Sequence, residues 1–272
     1  MLSDQTLSEE LSELQKKIRA DASNGKLRVH LFQLLCLMGD WQRALSQLQV
    51  CAQLDAKALP MAQAYREAIR CEMFRAEVFA GRRTPHVMGA PPPWIGGMIE
   101  ALRLDNDPAQ RSGAALLRSQ ALDAAKPAPC AVDDAACAWL MDGDSRLGPV
   151  CEVIANGQYY WLPFESCSAI KIEAPTDLRD LVWIPAELIL PNEGRVSAFI
   201  PARYPETVST THENGEDLKR GKATSWLEQS EDVWFGLGQR VWMSDLGEHS
   251  ILDTRSITMV AAESVAPEPV ME

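Results

Sequence analysis

The chain has 272 residues, of which 46% are hydrophobic and 24% charged. This is the balance of a globular protein with apolar material for two cores, not of a disordered chain. The net charge of −12 is unevenly spread: residues 1–126 hold 16 Lys and Arg against 14 Asp and Glu (+2), and residues 127–272 hold 10 against 24 (−14). An acidic half beside a near-neutral one predicts two domains with different partners. It argues against nucleic acid, since phosphate binding needs a surplus of Lys and Arg. The apolar run 181–190 is broken by Pro185 and Glu187 and is too short to span a bilayer. The start of the chain, with Glu9, Glu10 and Glu13, lacks the basic and apolar stretches of a signal peptide. The expected location is the cytoplasm, without membrane insertion.

In the first half, Thr6-Leu7-Ser8-Glu9 reads as a capping box. Leu7, Leu11, Leu14 and Ile18 then form one helical stripe, ended by Asn24-Gly25. A second stripe runs Leu27, Leu31, Leu34, Met38, and a third runs Trp41, Leu45, Leu48, Ala52. Only Gly39-Asp40 separates them, so these two helices must lie nearly antiparallel. Pro60 sits where a fourth helix can start, with Ala62, Tyr65, Ile69, Met73, Ala76 and Ala80 facing inward and Gly81 at the end. After a loop over 82–93, punctuated by Pro91-Pro92-Pro93, a short helix is expected over 94–104 and a last one over 107–126. Gly39-Asp40-Trp41 with Ala44-Leu45 resembles the turn and second helix of a tetratricopeptide unit, though no second copy at a fixed period follows. The first half is expected to be an all-α, tetratricopeptide-like array, whose concave face would bind a peptide or helix.

Lys126-Pro127-Ala128-Pro129 begins an expected linker over 127–137. The pattern then changes to strands. Residues 150–154 and 159–162 face each other across Asn156-Gly157, a hairpin signal. Further strands are expected at 169–172, 181–184, 196–200, 224–227, 233–237 and 240–243. Six of the eight tryptophans fall in this half, where a barrel or sandwich would bury them. The resulting fold class is α+β in two domains: helical 1–126 and a mainly β, barrel- or sandwich-like, acidic 138–262. The polar stretch 203–222 is expected to be an exposed loop and 263–272, rich in Pro and Glu, a disordered tail.

Patterns that carry chemistry are scarce. Gly236-Leu237-Gly238 lacks the third glycine and the strand-turn-helix context of a dinucleotide site. His30, His86, His212 and His249 have no metal-ligating neighbour at a useful spacing. The seven cysteines are odd in number and contain no C-x-x-C, so they read as reduced core thiols and neither metal nor cofactor is expected. Asp142-Gly143-Asp144-Ser145-Arg146 could hold a divalent metal through its two aspartates and so serve an enzyme. Arg146 and Leu147 break the calcium-loop pattern. The plainer reading is a turn in which the aspartates bind local amides and pair with Arg146. On the fourth helix Arg66 and Arg70 share a face, with Arg75 beyond. Next to Glu67, Glu72 and Glu77 they read either as a solvated, ion-paired face or as a docking surface for an acidic or amphipathic helix.

Several strings together resemble the ImpE/SciE/TagJ family of type VI secretion accessory proteins. They include Gly39-Asp40-Trp41-Gln42-Arg43-Ala44-Leu45, Tyr65-Arg66, Val78-Phe79-Ala80-Gly81 and Asp142-Gly143-Asp144-Ser145-Arg146-Leu147-Gly148-Pro149. Leu34-Leu35, Glu72, Gly157-Gln158-Tyr159-Tyr160-Trp161, Leu178-Arg179-Asp180-Leu181-Val182-Trp183, Pro201-Ala202-Arg203-Tyr204, Gly238-Gln239-Arg240-Val241-Trp242 and Leu252-Asp253-Thr254-Arg255 complete the set. The resemblance spans about residues 5–257 and matches poorly over 105–135 and 205–222. It implies a non-enzymatic bacterial protein of the cytoplasm. Its partner would be the small subunit of the contractile sheath, with a sheath-recycling AAA+ ATPase as a further partner. With that expectation, Tyr65, Arg66, Arg70 and Arg75 are the candidate partner-binding residues. The rivals are a metal-dependent enzyme using Asp142 and Asp144, and a general scaffold unrelated to secretion.

Overall fold

A computed structural model describes residues 5–260. Seven helices occur among them: α1 Leu7–Ala20, α2 Gly25–Met38, α3 Trp41–Leu54, α4 Leu59–Phe79, α5 Ile95–Asp105, α6 Arg111–Ala124 and α7 Gly215–Lys219. The capping box of α1 forms as read: Glu9 donates its amide to the Thr6 hydroxyl at 3.2 Å, and its carboxylate accepts the Thr6 amide at 2.9 Å. Gly39 ends α2 at φ 73°, a left-handed conformation that costs glycine little. Helices α1 to α4 pack as sequence neighbours, and α5 pairs with α6.

The strands are β1 His86–Val87, β2 Cys130–Val132, β3 Ala135–Cys137, β4 Leu140–Asp142, β5 Val150–Ala155, β6 Gln158–Pro163 and β7 Ala169–Ile172. They continue with β8 Trp183–Ile189, β9 Arg195–Pro201, β10 Thr224–Ser230, β11 Val233–Gly238, β12 Val241–Ser244, β13 Gly247–Ser250 and β14 Ser256–Met259. Nine of them form one sheet in the order β1-β6-β5-β9-β8-β7-β14-β2-β3. Only the β1–β6 pair in it is parallel. β10 and β11 form a separate hairpin, and β13-β12-β4 a three-stranded sheet. The Asn156-Gly157 hairpin forms as expected, both residues having left-handed φ values of 50° and 72°.

A barrel does not form. The large sheet stays open, with β1 and β3 at its two edges. One face carries Val150, Ile154, Tyr159, Trp161 and Trp183 against Leu14, Leu34, Ile69 and Met98 of the helices, in one continuous apolar core. The opposite face carries Val153, Leu162, Ile170, Ile184 and Ile200 against Trp242, Leu140 and Ile251 at the small sheet. The Pro-rich segment therefore marks where helix gives way to strand, without a gap in the packing.

Four local expectations are corrected. The expected linker 127–137 is mostly sheet: β2 pairs with β14 and β3 with β2. Its small Ala and Cys residues look like a spacer by composition, yet they suit a tightly packed sheet edge. The stretch 203–222 is not an exposed loop. It carries a 3-10 turn at Thr207–Ser209 and α7, and buries Thr207, Leu218 and Arg220. Arg220 reaches the Glu10 carboxylate at 3.0 Å, the Glu216 carboxylate accepts the Leu7 amide at 2.8 Å, and Val208 leaves no room for a side chain at Gly39. The strand expected over 181–184 starts later, because Asp177 and Asp180 cap a 3-10 turn over Leu178–Leu181. On α4 the inward stripe turns after Ile69 to Cys71, Arg75 and Val78, leaving Met73 52% exposed. The expected tail 263–272 lies outside the described residues.

Candidate functional site

The Asp142–Arg146 loop joins β4 to β5 and is the centre of a buried charge network. Asp142 Oδ1 accepts the Asp144 amide at 2.9 Å. Asp144 Oδ1 accepts both the amide and Nε of Arg146 at 2.9 Å, and its Oδ2 accepts Arg146 Nη2 at 2.6 Å and the Gly236 amide at 2.9 Å. The aspartates thus bind local amides and Asp144 pairs with Arg146, as the turn reading expected. The loop also docks on β11, where Ser145 and Trp234 exchange hydrogen bonds of 2.9 Å.

From this loop the network runs to the helices. Arg240, fully buried, donates to Asp142, to Glu152 of β5 and, at 2.8 Å, to the Pro201 carbonyl. Glu152 also accepts Arg75 Nε at 2.6 Å and Nη2 at 2.9 Å, and the Tyr159 hydroxyl. Trp161 Nε1 donates to that hydroxyl at 2.8 Å. Arg75 gives its Nη1 to Glu72 at 2.8 Å, and Glu72 accepts Trp183 Nε1 at 3.0 Å. Arg203 donates to the Leu37 carbonyl at 2.9 Å and the Cys36 carbonyl at 3.3 Å, both at the end of α2.

Arg75, Arg146, Arg203 and Arg240 stand against Glu72, Asp142, Asp144 and Glu152, so the cluster is charge-balanced. Burial costs every member, and the pairing decides which carboxylates stay ionised. Burial raises Glu152, but Arg75 and Arg240 outweigh it and hold its pKa at about 2. For Asp142 burial wins over Arg240 and pushes it up to about 6. Arg203, which meets only carbonyl oxygens, is lowered by burial to about 10. Both loop aspartates and Glu152 already face guanidinium groups. Their chemistry is that of a clamp between the helices and the sheets. Among the described residues no group of three or more His, Cys, Asp or Glu is placed to hold a metal.

The predicted partner-binding residues do not share one surface. Tyr65 is only 6% exposed, with its ring centroid 5.1 Å from Phe199, 5.6 Å from Phe32 and 6.1 Å from Trp183. Arg75 is 3% exposed and belongs to the buried network. Neither is available for docking. The apolar stripes of the helical array, which was expected to seat a partner helix, pack on the protein's own sheet. Arg66 is half-buried and Arg70 exposed, on an outer stripe of α4 that also carries Met73. Two open clefts lie nearby. One of about 730 Å³ runs between Ala64 and Glu67 of α4 and the β7–β8–β9 face. The other, about 810 Å³, lies between α2 and the end of α3, with Val29, Gln33, Leu54 and Asp177 in its walls.

Glu152, Arg203 and Arg240 were missed by sequence reasoning as a set. The available signal was a single charge, Glu152, inside the apolar run Val150-Cys151-Glu152-Val153-Ile154. An ionised group in a strand buried along its whole length requires a partner.

The ImpE protein family model matches residues 134–258. The type VI secretion system accessory component TagJ of Pseudomonas aeruginosa is 49% identical over 252 residues, covering 92% of this chain and 86% of its own. The chain belongs to the ImpE family. The ImpE match includes the Asp142–Arg146 loop, Glu152, Arg203 and Arg240, while their partner Arg75 lies before it. The crystal structure of protein VPA1032 from Vibrio parahaemolyticus shares the fold, with a TM-score of 0.83 at 24% identity over 96% of each chain. The fold similarity thus includes the helical half. No helix among the described residues is long and apolar enough to cross a membrane.

Proposed function

We propose that this chain is a non-enzymatic accessory component of a bacterial type VI secretion system. It acts in the cytoplasm and holds a helix of the small contractile-sheath subunit during sheath assembly or recycling. The observation that carries this reading is the 49% identity to TagJ across 92% of the chain. The sheath-recycling AAA+ ATPase is the further partner that the family resemblance implies.

The docking surface in this reading is the outer face of α4. Arg66, Arg70 and Met73 follow at i, i+4 and i+7, one outward stripe with a half-buried cation, an exposed cation and an exposed apolar side chain. An amphipathic helix with acidic flanks suits that stripe, with charge setting register and association rate more than affinity. The two loop aspartates, engaged by Arg146 and Arg240, support the absence of a catalytic role. The test is a titration of the purified small sheath subunit against the full chain and against Arg66→Glu/Arg70→Glu. Binding should weaken about tenfold in the double variant and lose part of its salt dependence. Equal affinity and an unchanged salt dependence would move the docking site off α4.

A further inference from the structure

We propose that Cys130 and Cys137 are an oxidation site that closes into an intramolecular disulfide across the β2–β3 hairpin when the protein meets a peroxide. The two residues are direct partners in the strand register, Cys130 facing Cys137. Their hairpin turns through Asp133 and Asp134, both left-handed, at φ 46° and 69°. In a two-residue hairpin the flanking pair, here Val132 and Ala135, exchanges both backbone hydrogen bonds. The pairs alternate from there, so Cys130 and Cys137 form the next hydrogen-bonded pair. The Cα atoms of such a pair stand about 5.5 Å apart. Disulfides span roughly 4.4–6.8 Å between Cα atoms and about 3.5–4.5 Å between Cβ atoms, so the Cα spacing fits and closure needs β3 to shift toward β2 by about 1 Å at the Cβ atoms.

Both side chains point to the same buried face of the sheet. Cys137 also donates its thiol to the Ala135 carbonyl at 3.4 Å. Of the other strand residues of the hairpin, Ala131, Ala135 and Ala136 are small, and Val132 shares the buried face with the two cysteines. Of the seven cysteines, all free, no other two are register partners.

The closed hairpin protects the thiols. Burial, with the Cys137 thiol beside it, pushes the Cys130 pKa up to about 12, so the reactive thiolate is scarce. The hairpin also lies at an edge of the sheet. Among the described residues β3 is an edge strand that pairs with β2 alone, and Ala135 and Ala136 are exposed. Fraying of β3 brings Cys137 to solvent without breaking any other strand pair. Its thiolate then attacks one peroxide oxygen, the O–O bond breaks, one water leaves and a sulfenic acid remains. The Cys130 sulfur attacks that sulfur, the S–S bond forms and the second water leaves. Two electrons and two thiol protons pass to the peroxide, which is reduced to two waters. The bridge then fastens the edge strand to β2.

The test treats the native full chain with hydrogen peroxide, blocks remaining thiols with an alkylating agent, and maps the digest by mass spectrometry. The expected result is loss of the alkylated forms of Cys130 and Cys137 together and the appearance of their cross-linked peptide. Treatment with a reductant should restore both alkylated forms. Cys137→Ser, or Cys137→Ala should the serine variant fold poorly, should keep Cys130 alkylatable. Hydrogen exchange over 131–136 should slow after oxidation of the wild type. Full alkylation of both thiols after treatment overturns the proposal. So does oxidation of Cys137 to sulfinic acid without a cross-link, or a bridge that pairs either residue with another cysteine.

Discussion

Arg70 and Arg75 lie on the same helix, and their sequence surroundings are alike: each has glutamates within reach. Arg70 projects into solvent from the outer face of α4, while Arg75 is enclosed between Glu72, Glu152 and the Arg203 carbonyl. The outer face is a place where charge is cheap and exchangeable, because water solvates either partner when the pair is broken. The seam under the helix is a place where each charge has been removed from water and depends on its partner. The same residue type is therefore available for recognition on one face and fixed as architecture on the other.

The largest expected effect lies in the seam. Glu152→Ala would leave Arg75 and Arg240 buried without their shared carboxylate, and should cost about 3–5 kcal/mol in denaturant unfolding. A loss below about 1 kcal/mol would show that the network is not the clamp described above.

The pH response sharpens the contrast within the network. Glu152 is held at about 2, below the usual 4.5, so its contribution is present above about pH 4.5 and is lost as pH falls toward 2. Asp142 is raised to about 6 from 3.8, which works the other way: the folded form favours its proton, and stability is lost as pH rises from about 4 through 6. Asp142→Asn should therefore be milder than Glu152→Gln at pH 7. Glu152→Gln should flatten the acid limb of an unfolding-versus-pH curve, and an unaltered acid limb would contradict the assigned ionisation.

An intermediate effect is expected where the segment 203–222 touches the helices. Gly39→Ala places a side chain at φ 73° with its Cβ 2.8 Å from Val208. It should cost about 1–2 kcal/mol from the left-handed backbone, with the Val208 contact adding to it. A neutral result in thermal unfolding would mean that the segment yields easily. The smallest effect belongs to the outer face, where Arg66→Glu/Arg70→Glu should shift folding stability by no more than about 0.5 kcal/mol. A larger loss would make these arginines part of the architecture too.

The family and several short-range features were legible in the sequence. The Thr6-Glu9 capping box, the helical stripes broken at Gly39-Asp40, and the Asn156-Gly157 hairpin all act between residues a few positions apart, and each formed as read. The Asp142–Arg146 loop was legible for the same reason, since its aspartates bond amides two residues on. What the helices pack against was set by long-range docking. A stripe of apolar residues states that a face will be covered, but not by what. The face that carries Tyr65 could have met a partner and instead meets Trp183 and Phe199. Arg75 finds Glu152 across 77 positions of sequence, and Arg240 reaches the same carboxylate across 88. No periodicity encodes such a meeting. It follows from the docking of α4 on the sheet, and the burial that docking imposes turns exposed-looking charges into the buried clamp.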